Sequence, residues 1–173
     1  MELQGQHLTL TSVDVTSAER LLPIFNSDEQ FNLLSGSSAK MTLEMVQADI
    51  SDGLTMPGGT LWQISVSSDP ESTPIGVAQT ACIPPPSSAW IALLLIQPTD
   101  QQRGYGREAA DLLEHYFFSN EAIKHIGLGV LVKNQRAIRF WHNRGYTQGL
   151  QRHDSYGKEM MTMRLDKSTV ASE

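Results

Sequence analysis

Gln101-Gln102-Arg103-Gly104-Tyr105-Gly106-Arg107 lies between an apolar run, Trp90 to Ile96, and a helical pattern, Glu108 to Phe118. Its two glycines, one residue apart, let the backbone turn so that consecutive N–H groups converge on one concavity. The start of a helix adds its partial positive charge there. A loop of this kind binds phosphate. Arg103 and Arg107 bracket it, so the expected ligand carries several negative charges, as a pyrophosphate does.

The flanking segments set the fold around that loop. Trp90 to Ile96 shows no alternation and predicts a central strand covered on both faces. Ala109, Leu112, Leu113, Tyr116 and Phe117 recur at helical spacing, and Ile126 to Val132 reads as a second buried strand. Strand, crossover helix and strand imply a parallel pair wound right-handed. Asn134 can cap a further helix through Ala137, Ile138 and Trp141, stopped at Gly145. The last strands are expected at Thr147 to Gln151 and Met160 to Leu165, around a polar loop from Arg152 to Lys158.

Upstream, Leu8 to Val13 alternates as a half-buried strand. Thr16-Ser-Ala-Glu19 fits a capping box for a helix that Pro23 should stop or kink near Leu22. Ser27-Asp-Glu-Gln30 opens a short helical piece closed by Gly36, and Thr42 caps a third helix containing Leu43, Val46 and Ile50. Leu61 to Val66 and Ile75 to Cys82 form a hairpin, followed by a Pro84-Pro-Pro86 connector. The pattern is α/β (α+β), a mixed sheet of six to seven strands in one domain spanning residues 1–173.

Composition narrows the classes of function. The single Cys82 excludes an internal disulfide, and the polar Met1 to Gln6 does not resemble a secretory signal. The longest apolar run, Ala89 to Ile96, is far short of the ~20 residues of a membrane helix. These features lead to the expectation of a cytoplasmic protein, monomeric or homodimeric, without membrane or nucleic-acid partners. The net charge of −6 divides unevenly: residues 1–100 hold 11 acids and two bases, residues 101–173 eight acids and 11 bases. Six bases, Arg103, Arg107, Lys133, Arg136, Arg139 and Arg144, would make an anion site if the fold gathers them. The acidic first half favours a cationic second substrate or is simply a solvated surface. No histidine, cysteine or carboxylate cluster has metal-ligand spacing.

Gly104-x-Gly106-x-x-Ala109 also satisfies the weak dinucleotide fingerprint. Against that reading, Gln97 to Arg103 separate the glycines from their strand, about 90 residues precede the unit, and Val132 is followed by Lys133 and Asn134 rather than an acid. The P-loop alternative lacks its G-K-[ST].

Two motifs resemble those of the GCN5-related N-acetyltransferases. One is [QR]-x-x-G-x-[GA], present as Gln101-Gln102-Arg103-Gly104-Tyr105-Gly106. The other is Asn134, Ala137, Ile138, Phe140, Trp141, Gly145 and Tyr146. The resemblance covers Trp90 to Tyr146 closely and residues 16–59 only in outline. It implies a splayed parallel strand pair forming a coenzyme A cleft from residues 90–146, with residues 16–59 and 147–165 on the acceptor side. The amides of Gln102 to Arg107 would hold the pyrophosphate, with Arg103 and Arg107 available to it or to the ribose phosphate. Backbone groups near Leu94 and Ile96 would pair with the pantetheine, the Leu94 amide would face the thioester oxygen, and Asn134 would bond the pantetheine arm or simply cap its helix.

The resemblance implies acetyl transfer from acetyl-CoA, without a metal, to a primary amine such as a small metabolite, a polyamine, an aminoglycoside-like compound or a protein N-terminus. A silent acyl-CoA sensor is the alternative. An amine titrating near 10 must lose a proton, at a cost of about 4 kcal/mol at pH 7. Many members carry a glutamate on the strand matching Trp90 to Ile96, and a tyrosine where this chain has Trp141. This chain has neither, and an indole cannot protonate a thiolate. Tyr156 is the remaining candidate acid. Tyr146 reads as core, Cys82 as a buried strand residue, and His142, His153 and Asp154 as solvated.

Overall fold

The computed structural model describes residues 1–35, 37–69, 71–83, 88–153 and 157–170. The strands are β1 (Glu2–Gln4), β2 (Leu8–Val13), β3 (Thr60–Val66), β4 (Pro74–Ile83), β5 (Ser88–Ile96), β6 (His125–Leu131), β7 (Thr147–His153) and β8 (Glu159–Asp166). They form one sheet in the order β1-β2-β3-β4-β5-β6-β8-β7, and only the β5–β6 pair is parallel. The sheet therefore has eight strands rather than six or seven. The addition is β1, a three-residue edge strand paired with Thr9 to Thr11, too short and too polar to show a period.

The helices are α1 (Ala18–Phe25), α2 (Glu29–Ser35), α3 (Leu43–Thr55), α4 (Tyr105–Phe118), α5 (Gln135–His142) and α6 (Lys167–Val170). On one face, Leu113 of α4 and Ile138 and Trp141 of α5 belong to a core with Trp62, Ile91, Ile126 and Leu128. On the other, Leu21, Ile24, Val46 and Ile50 of α1 and α3 cluster with Leu61, Val77 and Leu95. Both faces of the sheet are thus covered at β5, as its unbroken apolar run requires.

Three local expectations are corrected. The α1 helix passes through Pro23 to Phe25, because the ring forfeits one hydrogen bond while Leu21, Ile24 and Phe25 are buried. Thr16 does not cap it: the side-chain cap lies one turn earlier, where Asp14 Oδ1 accepts the Thr16 amide at 2.9 Å at the start of the 3-10 turn Val15–Ser17 that leads into α1, and Ser17 before α1 makes no cap bond. At α2 the cap is Asp28, accepting the Phe31 amide at 2.9 Å, one residue beyond Ser27. Thr42 caps α3 as expected, accepting the Met45 amide at 3.3 Å. Gly36 and Pro84 to Pro86 lie outside the described residues.

The parallel pair holds together only from Ser88–Ile91 to His125–Leu128. At that point Gln79 faces Leu93 while Thr80 faces Ile91, so Ala92 is an extra residue that bends β5 away from β6. Before the bend, the Trp90 ring lies over the next strand. A Cβ at Gly127 would stand 2.7 Å from it, which is why a strand otherwise rich in Ile, Leu and Val has glycine there.

Candidate active site

Beyond Ile91 and Leu128 the two strands enclose a cleft of about 760 Å³ between Ile91–Ile96 and Leu128–Leu131, with Gln101, Gly104 and Gly106 on one side and Asn134, Ala137 and Trp141 on another. The hydrogen-bond alternation of β5 is fixed at its end, where the Gln97 amide donates to the Ile75 carbonyl at 2.9 Å. Residues 97, 95 and 93 therefore face β4, and the amides of Ile96 and Leu94 face the cleft. The Ile96 carbonyl already accepts from Gln101 Nε2 at 2.7 Å, which ties the loop to the strand it follows.

The loop is built by two left-handed residues, Gln102 (φ 64°) and Gly104 (φ 85°). A Cβ at Gly104 would meet no protein atom within 4 Å, so this glycine is required by its backbone angle and not by crowding. The first bond of α4 runs from the Glu108 amide to the Gly104 carbonyl at 3.0 Å, which leaves the amides of Tyr105, Gly106 and Arg107 without intrahelical acceptors. No acceptor among the described residues takes the amides of Gln102, Arg103 or Gly104 either. Six consecutive N–H groups are thus available to an anion at the cleft wall.

The basic residues do not act as one group. Arg107 and Arg136 line the cleft. Arg103 projects into solvent beside Asp100 at 3.5 Å, and Lys133 and Arg139 are exposed away from the lining. Arg144 points the other way, onto Glu114 and Asp111 of α4, because a largely buried guanidinium finds two carboxylates there. Tyr105 packs against the main core and is absent from the lining. Asn134 accepts the Ala137 amide at 3.1 Å as the cap of α5, while also lining the cleft.

For proton transfer the cleft is sparsely equipped. The Trp141 indole lines it, stacked edge-on between Phe140 and Tyr146. Tyr146 is buried; its hydroxyl donates to Glu114 at 3.2 Å, and burial pushes its pKa far above that of a free phenol, with the Glu114 charge adding to the effect. Tyr116 packs on Trp62, so none of the three described tyrosines lines the cleft. Tyr156 and Asp154 lie outside the described residues. Burial raises the Cys82 thiol, which disfavours it as a nucleophile. Sequence reasoning missed Asp28, the one carboxylate lining the cleft among the described residues; two adjacent cap-forming residues concealed it. Among the described residues no group of metal-ligating side chains occurs, and no helix is long and apolar enough to cross a membrane.

The sheet thus opens at the bend of a parallel pair, with unpaired amides at the start of the helix that follows. The chain belongs to the Acetyltransferase (GNAT) family, whose model matches residues 26–146. No curated protein matches it. Among solved structures, an acetyltransferase from Thermus thermophilus is similar with TM-score 0.75 and 23% identity, over 96% of this chain and 99% of that one. A probable acetyltransferase of the GNAT family from Chromobacterium violaceum reaches TM-score 0.85 at 9% identity, over 99% and 88%. The aminoglycoside acetyltransferase AAC(6')-Ib, in complex with coenzyme A, has TM-score 0.77 and 19% identity over 95% and 97%. At these identities the likeness establishes the fold.

Proposed function

We propose that the protein moves the acetyl group of acetyl-CoA directly onto the nitrogen of a primary amine. The observation that carries this reading is the run of unpaired amides from Gln102 to Arg107 beside a sheet that opens after Ile91. Those amides, with Arg107 and Arg136, suit the diphosphate of the donor. The cleft-facing backbone of Leu94 and Ile96 suits a chain bearing amides, which can lie along β5 as an added strand would. The likeness to AAC(6')-Ib, solved with coenzyme A, supports the same placement.

The donor supplies a thioester, an acyl group already activated toward a neutral nitrogen. In the transfer, the amine nitrogen bonds to the carbonyl carbon while the Leu94 amide donates to the oxygen that gathers charge. The amine, bound as ammonium, has first passed one proton to water; after its attack the carbon–sulfur bond breaks, the thiolate leaves, and the nitrogen passes its excess proton to water in turn. Trp141 orders the sulfur end of the cleft by packing, since an indole N–H does not titrate in the working range. Among the described residues no phenol reaches the cleft, which leaves Tyr156 as the side chain proposed to return a proton to the thiolate.

Thiol release from acetyl-CoA in the presence of a panel of amines tests the reading, with product mass confirming the N-acetyl bond. Binding of acetyl-CoA without turnover on any amine would instead favour a silent acyl-CoA sensor.

A further inference from the structure

We propose that the acceptor is a monoamine with an apolar body and that Asp28 selects it by pairing with its ammonium group, an inference that rests on the acetyl-transfer reading above. Three charged side chains line the cleft among the described residues: Arg107 from α4, Arg136 from α5 and Asp28 from the start of α2. The cations lie with the amide loop and its partner helix, the one anion on the opposite element. A cleft so divided takes an anionic donor on one side and a cationic acceptor on the other.

Asp28 has room for that partner. Its Oδ1 accepts the Phe31 amide at 2.9 Å, and its Oδ2 has no hydrogen bond or ion pair among the described residues. The side chain is half-buried, where a single charge-assisted bond outweighs one made in open water. The same cleft is lined by apolar side chains, Phe31 and Leu34 from α2, Leu93 from β5 and Met160 from β8, with the uncharged Gln30 and Ser35 of α2 beside them. Leu34 is 37% exposed, a large apolar side chain left uncovered at the cleft.

This wall is held in place rather than left to fold on contact. The carbonyls of Leu33 and Leu34, orphaned at the end of α2, accept from Lys158 Nζ at 2.8 and 2.6 Å, which ties α2 to the segment entering β8. A polyamine or an aminoglycoside carries several ammonium groups. Past the first, each would meet apolar or uncharged polar side chains or the two arginines, since no second carboxylate lines the cleft among the described residues. The composition of the wall therefore selects one charge and an aryl or alkyl body.

Calorimetric titration of the coenzyme A-loaded protein with 2-phenylethylamine, spermidine and the neutral isostere 2-phenylethanol tests this. Phenylethylamine should bind roughly tenfold more tightly than either of the others. Asp28→Asn keeps the cap, because Asn accepts the Phe31 amide as well as Asp does. It should abolish the preference for the amine over the alcohol and leave coenzyme A affinity unchanged. Leu34→Glu, by adding a second carboxylate, should strengthen spermidine binding roughly tenfold. Spermidine binding as tightly as phenylethylamine, or an Asp28→Asn protein with unaltered amine affinity, overturns the proposal. Thiol release measured in parallel separates the two readings. Amine binding that depends on Asp28 but yields no acetyl product supports the site and refutes direct transfer, whereas acetylation indifferent to Asp28 does the reverse.

Discussion

The guanidinium of Arg144 grips the carboxylate of Glu114 through two roughly parallel hydrogen bonds, Nε to Oε1 at 3.0 Å and Nη2 to Oε2 at 2.5 Å. The two side chains are 9% and 12% exposed. Asp111 and the Arg107 carbonyl accept further bonds from the same guanidinium, so the turn after α5 is fastened along one face of α4. The pair therefore sets the distance between the helix carrying the amide loop and the helix carrying Trp141. Arg144→Met would leave Glu114 charged, buried and short of donors. Urea denaturation should show a loss of about 3 kcal/mol with an unchanged m value, and Arg144→Met with Glu114→Gln should recover part of it. A single-variant loss below about 1 kcal/mol would mean that the pair is solvated and does not hold the helices.

Gly104 is left-handed at φ 85° and a Cβ there would touch no protein atom, so its substitution tests the ligand more than the fold. Gly104→Val costs about 1–2 kcal/mol of backbone strain and projects a branched side chain from the amide loop. The variant should fold, with a lowered melting temperature, and lose coenzyme A affinity by at least about tenfold in calorimetry. Unaltered affinity would move the diphosphate off this loop.

Glu108, in the first turn of α4, fixes that end of the helix to the edge of the sheet. Its Oε1 accepts the amides of His7 at 2.7 Å and Leu8 at 3.0 Å, and its Oε2 faces His7 Nδ1 at 3.1 Å. Burial alone would raise its pKa, but those bonds prevail and hold the carboxyl below the 4.5 of a free glutamate. A carboxyl depressed by folding contributes stability that is complete above its unfolded value and disappears as pH falls through the folded one. Stability should therefore decline between about pH 5 and pH 3, and Glu108→Gln should flatten that limb in urea midpoints collected across the range. Parallel acid limbs in the two proteins would show that the carboxyl is not depressed.

The elements that flank the cleft could be read from sequence because each is set locally. Glycines at 104 and 106 dictate the turn, the unbroken run from Trp90 to Ile96 dictates a covered strand, and the spacing from Ala109 to Phe117 dictates the crossover helix. The acceptor wall could not, because it depends on choices between near-equivalents. Ser27 and Asp28 both cap helices, and only the docking of α2 decides that Asp28 takes the Phe31 amide and lines the cleft. Arg144 looked like one more base for the anion, yet Glu114, 30 residues earlier, claims it. The bend at Ala92, which opens the cleft, leaves no mark in a uniformly apolar segment.

Protonation of the departing thiolate can be assigned by comparing two aromatic positions. Trp141 occupies the cleft but cannot donate a titrating proton, so Trp141→Phe should change kcat by less than about threefold and leave the pH profile unaltered in shape. Tyr105, Tyr116 and Tyr146 are occupied elsewhere, Tyr146 with its hydroxyl on Glu114. Tyr156→Phe should consequently lower kcat by about 100-fold and keep the KM for acetyl-CoA, the pattern of a group needed only as the carbon–sulfur bond breaks. A Tyr156→Phe enzyme of undiminished kcat would give the proton to water, which a thiolate of ordinary basicity allows, and would leave amine positioning and the Leu94 amide to carry the rate.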